Sequence, residues 1–136
     1  DLRQSQLLAA AATLAASAPT VAGVRVITHN AGDIASADDL RALALDLRGR
    51  LGDADPTVIA IAGVKGDSPL IVVATNAPAR DAGLRAGDFV RDASTTLGGG
   101  GGGKPDLAQG GGRDASALDA ALTGVAAGVT AHVKAK

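Results

Sequence analysis

The chain has no cysteine, methionine, tryptophan or tyrosine, and a single phenylalanine, Phe89. Without cysteine there are no disulfides, thiolate zinc ligands or cysteine nucleophiles, and such usage fits a reducing compartment. Without any methionine, the 136 residues read as a fragment or a processed chain rather than a primary translation product. The dearth of aromatics leaves Ala, Val, Leu and Ile to build the core, and removes the stacking platforms that single-strand binders use. Glutamate is missing as well: all 14 acidic residues are Asp, against 13 Lys and Arg, giving a formal net charge of -1 and a pI near 6.1. A sequence-independent nucleic-acid binder is usually basic, so any polyanion held here must be held by shape, backbone N–H groups and a few cations. No apolar run reaches the roughly 18 residues that a membrane-spanning helix needs. Residues 7–16 with the following Ser17-Ala18 imitate a secretory signal, but the lone Arg3 is opposed by Asp1 and four alanines run in a row, which favours a packing helix.

What is present patterns as one α/β domain. A chain of this length has room for one modest core and buries about two-thirds of its unfolded surface. Residues 2–17 read as an Ala-rich helix with Leu7, Ala11 and Leu14 on one side, ended by Ser17-Ala18-Pro19. It is either the tail of a longer helical or coiled subdomain or a helix folded on its own domain, so residues 1–19 stand apart from a globular unit over 20–136. Residues 24–28 form a strand candidate, followed by a turn at Asn30-Ala31-Gly32-Asp33. Ser36 offers an N-cap, and Leu40, Leu43, Ala44, Leu47 and Leu51 repeat at helical spacing up to Gly49 or Gly52. Residues 58–62 and 70–74 are apolar without alternation, which predicts strands covered on both faces. Gly66-Asp67-Ser68-Pro69 joins them as an antiparallel hairpin. Ala86, Phe89, Val90, Ala93 and Leu97 mark a further helix. Asp114 or Ser116 caps a last one, with the stripe Leu118, Leu122, Val125, Ala126, Val129 and Val133.

Between those last two helices lies the most distinctive stretch. Six glycines run unbroken from Gly98 to Gly103 and three more from Gly110 to Gly112, nine of the chain's 19. Glycine loses the most entropy on folding, so such a run inside a domain marks backbone that turns sharply or admits a ligand to its N–H groups. Residues 98–112 are therefore read as a glycine-rich loop, with 106–110 as a possible short strand. A glycine loop ahead of a helix can face a phosphate. Yet no Gly-Lys-Ser or Gly-Lys-Thr closes the run, and it follows a helix rather than a strand, which argues against ATP binding.

The order Gly102-Gly103-Lys104-Pro105-Asp106-Leu107-Ala108-Gln109-Gly110-Gly111 resembles the glycine-rich signature of the C-terminal domain of alanyl-tRNA synthetases, a DHHA1-type domain shared in weaker form with the DHH phosphoesterases. The likeness extends loosely over residues 20–133. It implies a DHHA1-like α/β fold, a mixed sheet sandwiched by helices and preceded by the N-terminal Ala-rich helix. It also implies a cytoplasmic, tRNA-binding domain that contacts the outer corner of tRNA(Ala) and links the aminoacylation and editing domains of a parent alanine–tRNA ligase. ATP and zinc would serve that parent; the fragment itself would carry no cofactor, metal or catalytic residue. The other domains of the synthetase are the implied protein partners.

Two alternatives stand beside this reading. One is the substrate-binding domain of a DHH-type phosphoesterase. In those relatives a Gly-Gly-Gly-His pattern precedes Ala-Ala-Gly, whereas Lys104 occupies the histidine's place here, which argues against hydrolysis. The other is a module that self-associates through the N-terminal helix. His29 and His132 have no ligand-spaced partners, Asp38 and Asp39 complement a helix dipole, and Ser94, Thr95 and Thr96 lack a nearby base, so each is read as structural. Cations open to RNA are Arg80, Arg85, Arg91, Lys104, Arg113 and Lys134. The candidate nucleic-acid contacts are Gly101, Gly102, Gly103, Lys104, Gln109, Gly110, Gly111, Arg113 and Arg91.

Overall fold

Two apolar strands form the centre of the molecule, β3 (Thr57–Lys65) and β4 (Ser68–Thr75), paired antiparallel through a turn in which Gly66 takes φ 63°. In the computed structural model, which describes residues 20–21, 23–34, 36–52 and 54–134, these strands bury both faces, as their unbroken apolar runs predict. Val58, Ala60 and Ala62 of β3 join one hydrophobic cluster while Ile59 and Ile61 join another. The predicted helix over residues 2–17 lies outside the described residues.

The sheet has six strands in the order β1-β2-β3-β4-β6-β5. They are β1 (Thr20–Val21), β2 (Val24–Asp33), β3, β4, β5 (Gly100–Gly103) and β6 (Leu107–Gly111). Only β2 and β3 pair in parallel, joined by a crossover through helix α1 (Ala37–Leu51). On its face of the sheet α1 sets Leu40, Leu43, Ala44 and Leu47 against Ile27, Ile59, Ile61, Val72 and Ala74. The opposite face is covered by α3 (Ala86–Thr96) and α4 (Leu118–Lys134), whose Phe89, Val90, Ala93, Leu122, Val125 and Val129 pack on Val26, Val58, Ile71 and Val73. The mixed sheet between helices is the architecture expected from the sequence.

Several local expectations are corrected. The turn at residues 30–33 is a bulge inside β2: the register against β3 shifts between Asn30 and Asp33, Gly32 takes φ 74°, and its N–H donates to Asn30 Oδ1 at 2.9 Å. A glycine and an Asx turn read alike whether the strand ends or bulges. Ser36 occupies the N-cap of α1 with extended backbone, but its hydroxyl makes no cap bond. A short helix unseen in the sequence, α2 (Ala77–Asp81), follows β4, capped by Asn76 and carrying proline in its first turn, a start signal that was there to be read. Asp114 is the cap near the chain's last helix: its side chain accepts from Ser116 N at 3.1 Å, ahead of a 3-10 turn (Ala115–Ala117). Above all, the glycine-rich stretch at 98–112 is not a loop but a β-hairpin at the sheet's edge: the short strand expected at 106–110 is β6, and the glycine run read as loop is its partner β5.

Candidate nucleic-acid interface

The hairpin begins where α3 stops. Gly98, at φ 81°, takes the left-handed conformation that lets its N–H donate to Thr95 O at 3.1 Å while Gly99 N donates to Ser94 O at 2.9 Å, closing the helix. The tip, Lys104-Pro105-Asp106, is pinned by its carbonyls. Pro105 O accepts from Thr75 Oγ1 at 2.6 Å and from Ala86 N at 2.8 Å; Asp106 O accepts from Thr75 N at 3.0 Å and from Arg48 Nη1 at 3.3 Å. Thr75 is fully buried beneath it. Backbone contacts thus fix the tip and leave the Lys104 side chain exposed.

Glycine is needed in the strands because α3 lies against them. A Cβ on Gly110 would collide with Ser94 Oγ and come within 2.8 Å of Val90 Cγ1; one on Gly101 would collide with the Gly110 backbone. Ser94 itself is buried and its hydroxyl has no hydrogen-bond partner, so it acts as a spacer against the two glycines. The register pairs Gly101 with Gly110 and Gly103 with Ala108 on this face, and Gly102 with Gln109 and Gly100 with Gly111 on the other. There a Cβ on Gly100 or Gly102 would meet nothing within 4 Å, and Gln109 is exposed. The bonds Thr75 N to Asp106 O, Gly112 N to Pro69 O and Lys104 N to Leu107 O also set the ladder's phase. They direct the N–H and C=O groups of Gly101 and Gly103 to the free edge of β5. At the tip that edge is partly shielded, since a Cβ on Gly87 of α3 would approach Gly103 O to 2.9 Å.

Helix α1 packs over β2 to β4, and the bare face of the hairpin extends beyond it. The result is an open recess of about 350 Å³ lined by Arg41 of α1 and by Gly102, Gly103, Lys104, Asp106, Leu107, Ala108 and Gln109. Arg41 pairs with Asp38 at 2.7 Å, and its Nε is buried without a partner. A second recess, of about 250 Å³, adjoins the first at Asp106 and is lined by Arg48, Asn76, Ala77 and Arg80. Asn76, fully inside, is saturated: Oδ1 accepts from Thr57 N at 2.9 Å and Ala79 N at 3.1 Å, and Nδ2 donates to Gly52 O at 3.0 Å and Asp55 O at 2.7 Å. It ties the connection between α1 and β3, and the first residue of β3, to the first turn of α2, and has no donor left for a ligand.

Of the residues singled out from the sequence, Gly102, Gly103, Lys104 and Gln109 line the first recess, while Gly101 does not line it and turns its N–H and C=O to the free edge of β5. Gly110 faces α3 and Gly111 faces Pro69 O, which a Cβ would approach to 2.5 Å, so both shape the hairpin from inside. Arg91 is exposed on α3, on the other side of the sheet; Arg113 is exposed past the far end of β6, its N–H donating to Leu97 O at 2.9 Å. Neither lines a recess on the α1 side. Arg41 and Arg48 were missed, because on the sequence they are only the polar flank of an amphipathic helix. His29 is half-buried on β2, and burial pushes its pKa below the ordinary 6.5. Among the described residues no three His, Cys, Asp or Glu side chains gather to hold a metal, and no helix is long and apolar enough to cross a membrane.

These features define an α/β domain whose mixed sheet ends in a glycine hairpin buttressed by one helix. The chain belongs to the DHHA1 domain family, which residues 20–130 match. It is 56% identical over 121 residues to the alanine–tRNA ligase of Thermobifida fusca, covering 89% of this chain and 14% of that protein. To the alanine–tRNA ligase of Kineococcus radiotolerans it is 58% identical over 132 residues, 97% of this chain and 15% of that protein. The chain therefore spans about a seventh of the length of these relatives. Among solved structures, the C-Ala domain of Aquifex aeolicus alanyl-tRNA synthetase superposes with a TM-score of 0.66 at 31% identity, over 76% of this chain and 90% of that one.

Proposed function

We propose that this chain is the tRNA-binding C-terminal domain of an alanine–tRNA ligase, contacting the outer corner of the tRNA and joining the aminoacylation and editing domains of a cytoplasmic parent enzyme. The observation that carries the reading is the identity of more than half of the residues, over nearly the whole chain, with alanine–tRNA ligases, together with the fold shared with a C-Ala domain. The geometry supplies a way to do it. A strand of glycines lets an RNA backbone approach without side-chain clash, Gln109 offers an amide to sugar or base edges, and Arg41 and Lys104 supply charge at either side. The ATP and zinc chemistry of such an enzyme would lie in its other domains. The test is binding of the 136-residue chain to folded tRNA, to an acceptor-stem minihelix lacking the outer corner, and to an unstructured single strand. Preference for the full tRNA is the expected result. Equal affinity for the minihelix or the single strand would overturn the reading.

A further inference from the structure

Beside the hairpin tip, Arg48 of α1 and Arg80 of α2 are in an unusual arrangement. Arg80 Nη1 donates to Thr75 O at 2.9 Å and Arg48 Nη1 reaches the same oxygen at 3.5 Å. Both arginines are partly buried, and neither forms an ion pair with a carboxylate among the described residues. Two like charges converging on one neutral carbonyl repel each other, and partial burial weakens the solvent screening that would relieve them. An anion seated between them would remove the repulsion, and guanidinium forks suit the oxygens of a phosphate. The space for it is the recess of about 250 Å³ bounded by Arg48, Ala77, Arg80 and Asp106. Asp106 is also part of the wall of the hairpin recess, so the two lie side by side.

We propose that the Arg48–Arg80 recess is a phosphate subsite that extends the glycine hairpin into one track for an RNA backbone, running from Arg41 and Lys104 past Asp106 to Arg80. The proposal rests on the tRNA-binding reading above and adds to it a second point of contact on α1 and α2, away from the glycine signature. Arg48 also holds the hairpin tip through Asp106 O, so it is a poor residue to replace. Arg80 gives up one bond, to Thr75 O.

The experiment measures folded-tRNA affinity of the chain, Arg80→Gln and Arg80→Lys by fluorescence anisotropy between 50 and 200 mM salt, with the thermal midpoint as control. The track requires Arg80→Gln to weaken binding roughly three- to tenfold and to shrink the salt slope by about one, while Arg80→Lys keeps most of the slope. In the unmodified chain, inorganic pyrophosphate should shift the arginine side-chain NMR signals of Arg48 and Arg80 ahead of Arg91, a readout that needs no variant. Unchanged affinity and slope in Arg80→Gln, or pyrophosphate shifts no larger at Arg48 and Arg80 than at Arg91, overturns the subsite and leaves the tRNA-binding reading standing. Failure of the unmodified chain to bind tRNA overturns both.

Discussion

Gly102 and Gly110 stand on opposite faces of one hairpin, and the same substitution should act on them differently. On the open face a Cβ at Gly102 meets nothing within 4 Å. Gly102→Ala is expected to leave stability within about 0.5 kcal/mol, since reduced freedom of the unfolded chain offsets any small strain. It should weaken tRNA binding, because the added methyl group stands where RNA backbone would approach. Gly110→Ala drives a Cβ into Ser94 Oγ and Val90 Cγ1 and should cost about 1–3 kcal/mol in urea melts. Binding loss at Gly110 without loss of stability would reverse the assignment of faces. His29 supplies a pH dependence. Burial lowers its pKa in the folded state, so between that value and 6.5 the unfolded chain binds more protons and stability rises with pH. The His29 contribution is therefore present above pH 6.5 and lost on acidification below it. Urea midpoints at pH 7.5 and 5.5 should differ less in His29→Gln than in the unmodified chain.

Helix α1 is the element on which both the core and the recesses depend. Its inner stripe puts Leu43 and Leu47 in full burial against β2, β3 and β4, while its flank carries Arg41 and Arg48 to the rim of the hairpin. Leu43→Ala or Leu47→Ala should each cost about 2–5 kcal/mol by transfer and cavity terms, and a loss under about 1 kcal/mol would contradict the packing. Phe89→Ala on α3 belongs to the same range, although the residue is 8% exposed and its ring borders Gly128 of α4. The helical stripes were legible because period-3.6 repeats of Leu and Val leave one solution. α2 escaped because five residues are too few for a stripe, and the end of β2 escaped because Asn30 and Gly32 carry the same local signal in a bulge as in a turn.

At the scale of the whole molecule, a net charge of -1 means that RNA binding must come from a local surface working against an overall neutral field. The cations around the two recesses are Arg41, Arg48, Arg80 and Lys104, and Arg41 already has Asp38 as a partner. Each phosphate neutralised contributes about -0.9 to the slope of log affinity against log salt. The slope for the chain should therefore be no steeper than about -4, as read from anisotropy titrations between 50 and 200 mM salt. A markedly steeper slope would mean that cations elsewhere, Arg91 and Arg113 among them, join the interface.

Periodicity and motif are local properties, and they were enough to read the sheet covered on both faces, the three long helices after residue 35, and a family signature at residues 102–111. The glycine run was a different matter. A strand is recognised by alternating side chains, and glycine has none to alternate, so nothing local in residues 98–103 distinguishes a loop from a strand. Only pairing with β6, and through it with β4, turns those residues into the edge of the sheet. Of the cationic rim, Arg80 and Lys104 were candidates from the sequence but Arg41 and Arg48 were not, since Arg48 and Asp106 lie 58 positions apart in the chain and meet because α1 and the hairpin tip pack at the same end of β4. What the local sequence determined was which segments fold and which face each one buries; where the charges converge was decided by tertiary packing, because contacts between distant segments leave no trace in the spacing of neighbouring residues.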